Sequence, residues 1–255
     1  MKTVAIVQAR LGSQRLPGKV LKKIGNQTSI ERQFDRLSFA ITLDSVVLAT
    51  TQLEQDDRLA SLAESKGWNL FRGASDDVLS RYVEAALEHE ADIVVRITGD
   101  CPLVDASIVD EVVQMAEKSD AAYFSNVEPP TYPHGLDVEV FPISSLIWAS
   151  ENTTLLQDRE HVTTQLRKST LITRKNLEWP EDLSDERWTL DTQADLEVIT
   201  NVFRAFSWSN DFSWREVFEL SQQEPKLFTG NRHLARNGDS RTSPKSKTAL
   251  FEAEG

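Results

Sequence analysis

The first half of the chain alternates between two hydrophobic patterns. Short apolar runs typical of β-strands are each followed by a longer segment whose apolar residues recur at helical spacing. The strand-like runs occupy residues 3–8, 45–50, 68–71 and 92–98, and the helical segments occupy residues 29–39, 56–66, 76–90 and 107–118. Alternating strands and helices form βαβ units, whose strands lie parallel. The pattern therefore predicts an α/β fold with a mostly parallel sheet.

The second half is less regular, and its predicted elements are less evenly spaced. They are a strand at residues 138–141, helices at 143–150 and 158–168, a strand that runs into Asp191, and helices at 195–205 and 214–221. No internal repeat or long linker indicates a second folding unit. We predict one domain over residues 1–228. Because the sequence from Thr229 onward is polar and lacks periodicity, we predict a flexible tail over residues 229–255.

Two local features refine this picture. Thr28 and Glu31 have the spacing of a capping box, which predicts that a helix begins just after Thr28. The stretch 125–135 contains three prolines, so we predict a loop there that serves as a lid or a dimer contact.

The composition narrows the class of protein. The 255 residues include 40% hydrophobic residues, enough for a packed core, and the net charge of −12 argues against a nucleic-acid polymer as partner. The single cysteine, Cys101, fits a reducing compartment and excludes an intramolecular disulfide. The chain starts with neither a signal-peptide pattern nor a membrane span. We therefore expect a cytoplasmic protein.

A cationic loop follows the first strand. Residues 10–19 contain Arg10, Arg15 and Lys19, two glycines and no acidic residue. Arginine and lysine supply charge-assisted hydrogen bonds to phosphate, and glycine lets the backbone approach it closely. The glycine spacing differs from that of a P-loop, and Val20 follows the lysine where a P-loop has Ser or Thr. The segment predicts a nucleotide-phosphate site of another kind; a solvated turn is the alternative.

Two aspartates follow apolar strand-like runs. Asp100 comes after the fourth run and Asp191 after a run in the second half. In a parallel sheet the carboxyl ends of the strands share one edge, so Asp100 and the cationic loop are expected on that edge. Mg²⁺ prefers oxygen ligands and is often held by one or two carboxylates together with substrate phosphates. We predict that Asp100 and Asp191 hold Mg²⁺; the alternative is that they cap helices or form turns.

Four segments resemble the signatures of the sugar-activating cytidylyltransferases, in particular the SpsF type named for spore-coat polysaccharide biosynthesis. They are Gln8-Ala9-Arg10-Leu11-Gly12-Ser13-Gln14-Arg15-Leu16-Pro17-Gly18-Lys19, Arg96-Ile97-Thr98-Gly99-Asp100-Cys101-Pro102-Leu103-Val104-Asp105, Tyr132-Pro133-His134-Gly135-Leu136-Asp137-Val138-Glu139-Val140, and Trp188-Thr189-Leu190-Asp191-Thr192. The related enzymes that load Kdo (3-deoxy-manno-octulosonate) or sialic acid with CMP share the first loop and the two aspartates.

The resemblance implies a Rossmann-like three-layer sandwich and a homodimer. It also implies Mg²⁺-dependent transfer of CMP from CTP to a small sugar acceptor, with release of pyrophosphate, for surface polysaccharide synthesis. The implied catalytic residues are Arg10, Arg15, Lys19, Asp100 and Asp191. The implied nucleotide ligands are Gln8, Ala9, Arg10, Gly12, Ser13, Arg15, Lys19, Arg72, Ser75, Asp76 and Gly99, and the implied acceptor ligands are His134, Asp137, Glu139, Glu160 and His161.

Several of these residues also have a purely structural interpretation. Ser75 is a good helix cap, and Asp76 would suit the first turn of the following helix. Asp137 and Glu139 would lie on one face of a solvated edge strand, and Glu160 and His161 lie at a predicted helix start where surface ion pairs are common. No general base is assigned from the sequence: Asp137 is the weakest acceptable guess, because a bound Mg²⁺ lowers the pKa of the acceptor hydroxyl without a dedicated base.

The acceptor and the reaction class stay open at this point. The Kdo-loading enzymes have Gln-Gly-Asp-Glu-Pro where this chain has Thr98-Gly99-Asp100-Cys101-Pro102, so their sugar placement does not carry over. The acceptor is a 2-keto-3-deoxy acid sugar, another nonulosonate, or a phosphorylated sugar or polyol. The alternatives are a glycosyltransferase, which the three cations of the first loop disfavour because they suit a triphosphate, and a non-catalytic nucleotide-binding protein.

Overall fold

The computed structural model describes residues 1–234 and 236. In the described part of the chain the strands are β1 (Thr3–Gln8), β2 (Lys23–Ile24), β3 (Gln27–Thr28), β4 (Ser45–Thr51), β5 (Asn69–Gly73), β6 (Ile93–Thr98), β7 (Tyr123–Ser125), β8 (Glu139–Pro142) and β9 (Arg174–Asn176). The α-helices are α1 (Ser29–Leu37), α2 (Asp57–Lys66), α3 (Val78–Glu88), α4 (Ala106–Glu117), α5 (Ile143–Asn152), α6 (Leu156–Glu160), α7 (Thr164–Lys168), α8 (Gln193–Ala205) and α9 (Trp214–Gln223). Single helical turns lie at Lys19–Leu21, Glu54–Asp56 and Pro225–Phe228.

Seven strands form one sheet in the order β5-β4-β1-β6-β8-β7-β9, and β2 and β3 form a small hairpin. Strand β8 pairs antiparallel with both of its neighbours, and every other pair in the large sheet is parallel. The chain moves outward from β1 through β4 to β5 and then returns to the other side of β1 as β6. This reversal creates a crevice at the carboxyl ends of β1 and β6, where such sheets bind their ligands.

The sheet is covered on both faces, which confirms the predicted three-layer α/β fold. Alternate residues of β1 belong to different cores: Ala5 and Val7 pack with α1, α2, α4, α8 and α9, whereas Val4 and Ile6 pack with α3, α5 and α7. The period-2 alternation of side chains in a strand produces this division. No helix in the described part of the chain is long and apolar enough to cross a membrane.

The predicted helix start at residue 28 is confirmed. The side chain of Thr28 accepts a hydrogen bond from the backbone N of Glu31, and Glu31 Oε2 accepts one from the backbone N of Thr28 at 2.6 Å. These bonds satisfy two amides that a helix end otherwise leaves unpaired. Because Glu31 also pairs with Lys66, which lowers its pKa to about 2 against the effect of burial, the carboxylate stays ionised.

Two predicted elements of the second half are wrong. The single helix predicted at residues 158–168 is broken into α6 and α7 at Val162, which has a φ of 60° and is fully buried. This turn lets Thr163 Oγ1 donate to Glu139 Oε1 at 2.7 Å. The strand predicted before Asp191 is an extended segment with only an isolated bridge between Arg187 and His134, because no described strand continues the ladder there.

Some described residues beyond 228, the predicted end of the domain, also contact the rest of the fold. Asn231 is buried, with 1% of its surface exposed, and Arg236 donates a hydrogen bond to Asp137. Side-chain pairing of this kind is what a solvated tail lacks. The remainder of the predicted tail, residues 235 and 237–255, lies outside the described residues.

Candidate active site

A cleft of about 570 Å³ lies at the carboxyl ends of β1 and β6. Its lining combines residues from the first loop, the second signature and the segment ending at Asp191. The lining residues are Gln8, Ala9, Arg10, Gly12, Ser13, Gln14, Arg15, Lys19, Val20, Val78, Arg81, Thr98, Gly99, Asp100, Glu160 and Asp191. The structure therefore brings together all five predicted catalytic residues and most of the predicted nucleotide ligands.

Hydrogen bonds from backbone amides of the cationic loop fix its conformation. The backbone N of Leu11 donates to Asp56 Oδ1 at 2.7 Å, and the backbone N of Gly18 donates to the carbonyl O of Leu11 at 3.1 Å. Gly18 has a φ of 65°, a left-handed conformation that favours glycine. The loop thus closes on itself and leaves Arg10, Arg15 and Lys19 directed toward the cleft.

Glycine at position 99 allows the two strand ends to approach each other. A Cβ built on Gly99 would lie 2.7 Å from the carbonyl O of Gln8 and 2.8 Å from Ala9 Cβ, closer than nonbonded atoms tolerate. The backbone N of Gly99 donates to that same carbonyl at 2.8 Å. Gly99 therefore joins the first loop to Asp100.

Lys19 connects the two predicted metal ligands. Its Nζ lies 2.8 Å from Asp100 Oδ2 and 2.9 Å from Asp191 Oδ1, and Arg15 pairs with the second oxygen of Asp191. Only 12–13% of the side-chain surface of Lys19 and Asp191 is exposed. The two carboxylates thus converge on one cation inside the cleft.

This pairing keeps Lys19 and Asp100 charged. Burial by itself lowers the pKa of Lys19, but attraction and hydrogen bonds from Asp100 and Asp191 outweigh it and raise that pKa above its usual value. Burial would raise the pKa of Asp100, and Lys19 instead holds it below the usual range. In the described residues no cluster of three or more His, Cys, Asp or Glu side chains is arranged to hold a metal ion. A metal site here would consist of two carboxylates completed by ligand oxygens.

Asp191 is positioned by the start of α8. Asp195 Oδ2 accepts hydrogen bonds from the backbone N atoms of Asp191 and Thr192 at 3.1 and 2.9 Å, and Thr192 caps the helix through the backbone N of Asp195. The backbone N of Leu190 donates to the carbonyl O of Asp100 at 2.7 Å. The extended segment before Asp191 therefore lies beside Asp100 even though it forms no regular strand.

Five lining residues were not among the predicted site residues, and Arg81 is the one of them whose side chain is charged. Arg81 is 2% exposed, donates to the carbonyl O of Ala74, and has an Nε with no hydrogen-bond partner in the described structure. Burial and the nearby charge of Arg10 lower its pKa. Arg81 lies near the start of the helix predicted at residues 76–90, just after the third strand-like run, and this position was the available signal. The others are Gln14, Val20, Val78 and Thr98.

Glu160 lies in the cleft, as the acceptor prediction requires, but it faces the first loop. Its Oε1 accepts a hydrogen bond from Arg10 at 3.2 Å, and nearly half of each side chain is exposed. Exposed pairs of this kind contribute little to stability and exchange partners easily. His161 is exposed and is not part of the lining.

The segment after β5 does not reach the cleft where it was expected to. Arg72 donates to the carbonyl O of Thr51 at 3.0 Å and to Asp57 Oδ1 at 2.7 Å, so it ties β5 to the start of α2. Neither Ser75 nor Asp76 lines the cleft. Asp77, rather than Ser75, caps α3 by accepting from the backbone N of Ser80 at 2.8 Å.

His134 and Asp137 lie beside the cleft and do not line it. His134 Nε2 is 3.8 Å from Asp137 Oδ2, and Arg236 pairs with the other oxygen of Asp137. Burial, with the charges of Arg236 and Arg187, lowers the pKa of His134 to about 4. Burial raises the pKa of Asp137 to about 6 in spite of Arg236. With its carboxylate engaged and outside the lining, Asp137 is not placed to act as the general base.

Glu139 belongs to the interior of the fold. It is 4% exposed, pairs with Arg96, and accepts from Thr163 Oγ1 at 2.7 Å and Tyr123 Oη at 2.5 Å. Arg96 and the two hydroxyls lower its pKa, although burial alone would raise it. Both of its carboxylate oxygens are engaged inside the protein, so the structure does not support its prediction as an acceptor ligand.

Cys101 is a buried free thiol next to Asp100. Burial and the nearby aspartates raise the pKa of Cys101 well above its usual value, and its Sγ lies 3.2 Å from Thr98 Oγ1. A protonated thiol is a poor nucleophile, so Cys101 has a packing role.

Comparison with known proteins agrees with this geometry. The family model for cytidylyltransferases matches residues 4–212. The spore coat polysaccharide biosynthesis protein SpsF of Bacillus subtilis is 32% identical over 88% of this chain and 95% of its own length. An uncharacterized protein of Methanocaldococcus jannaschii is 34% identical over 92% of this chain and 96% of its own.

Solved structures give the same result. A cytidylyltransferase from Leptospira borgpetersenii superposes with a TM-score of 0.86 at 32% identity, covering 89% of this chain and 97% of that one. A CMP:2-keto-3-deoxy-manno-octonic acid synthetase in complex with CTP shares the fold at a TM-score of 0.62 and 19% identity, covering 81% of this chain and all of that one. The chain belongs to the cytidylyltransferase family, in its SpsF-type branch, and is a CTP-dependent nucleotidyltransferase.

Proposed function

We propose that the protein transfers CMP from CTP to a hydroxyl group of a small sugar acceptor, releases pyrophosphate, requires Mg²⁺, and serves the synthesis of a surface polysaccharide. The observation that carries the proposal is the convergence of Arg15, Lys19, Asp100 and Asp191 in one cleft. A triphosphate needs cations around its oxygens, and its metal ion needs carboxylates. The relative SpsF, which is named for spore coat polysaccharide biosynthesis, supports the polysaccharide assignment.

The acceptor oxygen attacks the α-phosphorus of CTP while the bond from that phosphorus to the oxygen bridging to the β-phosphate breaks. The acceptor hydroxyl gives its proton to solvent water, and the leaving pyrophosphate carries the displaced charge. Arg10, Arg15 and Lys19 stabilise that charge because charge-assisted hydrogen bonds to phosphate strengthen as the negative charge develops. Arg81 lines the cleft from the α3 side, and its guanidinium adds a fourth positive charge beside the phosphates of the nucleotide.

The residues of the cleft fit a magnesium ion. Asp100 and Asp191 both accept hydrogen bonds from the ammonium group of Lys19, so the two carboxylates already bind one cation between them. Two carboxylates completed by phosphate oxygens form a normal Mg²⁺ ligand set. When bound, Mg²⁺ neutralises phosphate charge and favours deprotonation of the acceptor hydroxyl. In our proposal Lys19 then leaves the carboxylates and binds a phosphate oxygen.

The acceptor is a Kdo-like acid sugar, another nonulosonate, or a phosphorylated sugar or polyol. Curated 3-deoxy-manno-octulosonate cytidylyltransferases, such as that of Solibacter usitatus, match only 44% of this chain at 34% identity, so they support the chemistry more than the acceptor. We propose that His134 and Asp137, which interact electrostatically with Asp100, lie on the side from which the acceptor approaches.

The proposal is tested by pyrophosphate release from each of the four NTPs, with Mg²⁺, against a panel of the three acceptor classes. We expect release with CTP and one acceptor class, and none without metal or acceptor. Release that is equal for all four NTPs would contradict cytosine selectivity. Turnover of sugar nucleotides with no release from any NTP would replace the proposal by glycosyl transfer.

A further inference from the structure

The chain returns to the catalytic edge of the sheet after its last helical turn. Asn231 is 1% exposed there, and its Nδ2 donates to Asp195 Oδ1 at 2.8 Å and to the carbonyl O of Arg187 at 2.9 Å. Neither bond is visible in the sequence pattern, which is polar in this stretch. The amide therefore contacts two residues that flank Asp191 in the chain.

Both of these residues contact Asp191 directly. Asp195 Oδ2 accepts from the backbone N of Asp191 at 3.1 Å, and Arg187 Nη2 lies 3.6 Å from Asp191 Oδ2. Arg187 and Asp195 are also paired with each other, Nε to Oδ1 at 2.8 Å and Nη2 to Oδ2 at 3.0 Å. The three side chains form one buried network. Asp191 is the residue through which this network contacts the cleft.

The network leaves little freedom at Asp195. Its side chain is fully buried, and a buried carboxylate requires nearly every hydrogen bond it can accept. Burial alone would raise the pKa of Asp195, but the donors from Arg187 and Asn231 hold it below its usual value. Removing the Asn231 donor leaves Asp195 Oδ1 with fewer partners, and the carboxylate can then rotate away from the backbone N of Asp191.

We infer that Asn231 is a positioning residue for Asp191: by fixing Asp195 and Arg187 it holds the Asp191 carboxylate where it converges with Asp100 on a single cation. Asn231 lines no part of the cleft and contacts no reacting atom. The inference rests on the proposed function, because it matters to catalysis only if Asp191 binds the metal of a CTP complex. Arg236 anchors the same part of the chain through Asp137 and the carbonyl O of Tyr132.

The test compares full-length Asn231→Ala with Asn210→Ala as a matched control. The Asn210 amide also makes two donor bonds, to Gln27 Oε1 at 3.0 Å and to Asp35 Oδ2 at 2.9 Å, but it lines no part of the cleft. Mn²⁺ serves as the probe ion in the presence of CTP without acceptor, and the free Mn²⁺ is measured by electron paramagnetic resonance. Melting temperatures and pyrophosphate release are measured in parallel.

We expect Asn231→Ala to weaken Mn²⁺ binding by about tenfold, the usual effect of losing a residue that orients a metal ligand. The Mg²⁺ concentration for half-maximal rate should rise by a similar factor, while Asn210→Ala keeps the wild-type metal affinity even where it lowers the melting temperature. If Asn231→Ala does not fold, Asn231→Ser leaves a smaller cavity with a hydroxyl too short to make both bonds, and it should weaken binding in the same direction.

Wild-type metal affinity in a folded Asn231 variant would overturn the inference. The hydrogen bonds of Asn231 would then stabilise the fold without positioning Asp191, even if the melting temperature fell. Failure of the proposed function gives a different result, because the wild-type protein itself would then show no CTP-dependent Mn²⁺ uptake and no pyrophosphate release.

Discussion

The ammonium group of Lys19 lies 2.9 Å from a carboxylate oxygen of Asp191, although the two residues are 172 positions apart in the chain. The same ammonium lies 2.8 Å from Asp100. A cation from the cationic loop thus lies between the two proposed metal ligands. Lys19 therefore prevents the mutual repulsion of two partly buried carboxylates before substrate arrives.

Replacing Lys19 by Met should have opposite effects on metal binding and on turnover. Without the ammonium, Asp100 and Asp191 face each other unpaired, and a divalent ion no longer competes with a built-in cation. We expect Mn²⁺ binding without CTP to tighten by about tenfold, and pyrophosphate release to fall by about 100-fold or more. Lys22→Met, an exposed change just after the same loop, is the control. Unchanged Mn²⁺ affinity in Lys19→Met would show that the ammonium does not compete for the metal.

Asp100→Asn should abolish metal-dependent product formation while the protein stays folded. The amide keeps the shape of the carboxylate and loses its charge, so we expect turnover to fall by about 100-fold or more while CTP binding without metal changes little. Asp110→Asn, on α4 and bonded to the backbone of Thr42, is the matched control. A variant that retains more than half of the wild-type rate would remove Asp100 from the catalytic centre.

Arg81 and Arg72 offer a direct comparison between the structure and the sequence pattern. Arg81 lines the cleft with an unused donor, whereas Arg72 is bonded to Asp57 and lies outside it. We expect Arg81→Lys to weaken CTP binding by about tenfold, since a hydrogen bond to a charged ligand contributes about 1.5–3 kcal/mol. Arg72→Lys should leave CTP affinity within about twofold, because surface substitutions have small effects. Calorimetric titration with CTP measures both, and the reverse order of effects would restore Arg72 as a ligand.

The His134–Asp137 pair should give two opposite pH dependences of stability. The folded pKa of His134, about 4, is lowered, so the unfolded state takes up a proton first and stability falls as the pH drops through the usual histidine range. The folded pKa of Asp137, about 6, is raised, so the folded state takes up a proton first and stability rises over the same interval. The two contributions partly cancel in the wild-type protein.

Single variants separate the two contributions. Between about pH 7 and about pH 5, the wild-type free energy of unfolding should fall by about 2 kcal/mol relative to His134→Gln, and rise by about 1 kcal/mol relative to Asp137→Asn. Urea unfolding at both pH values measures these differences. Differences of the same sign for both variants would contradict the assigned pKa directions.

The sequence predicts the part of the site that follows from strand order. The ends of β1 and β6 meet because both strands lie parallel in the sheet, and this places Lys19 near Asp100. The partner of Glu139 could not be predicted. Arg96 of β6 lies opposite Glu139 of β8 only because of the register between these two strands, and that register depends on tertiary packing. Alternation predicts that Asp137 and Glu139 share a strand face, but β8 begins only at Glu139 and Asp137 lies before it.

Contacts that depend on the end of the chain were also beyond the sequence pattern. A polar stretch without periodicity predicts a solvated tail, yet Asn231 is buried because a carboxylate and a carbonyl already inside the fold need its donor. The extended segment before Asp191 was predicted as a strand because it is apolar. It pairs instead through single backbone bonds to His134 and Asp100.

The central claim, transfer of CMP rather than of another part of a nucleotide, is tested most directly by the fate of isotopic label. CTP labelled at the α-phosphorus and CTP labelled at the γ-phosphorus are incubated separately with enzyme, Mg²⁺ and the active acceptor. We expect the α label to appear in the acceptor conjugate and the γ label in pyrophosphate. Transfer of the γ label to the acceptor, or an α label found only in free CMP, would contradict it.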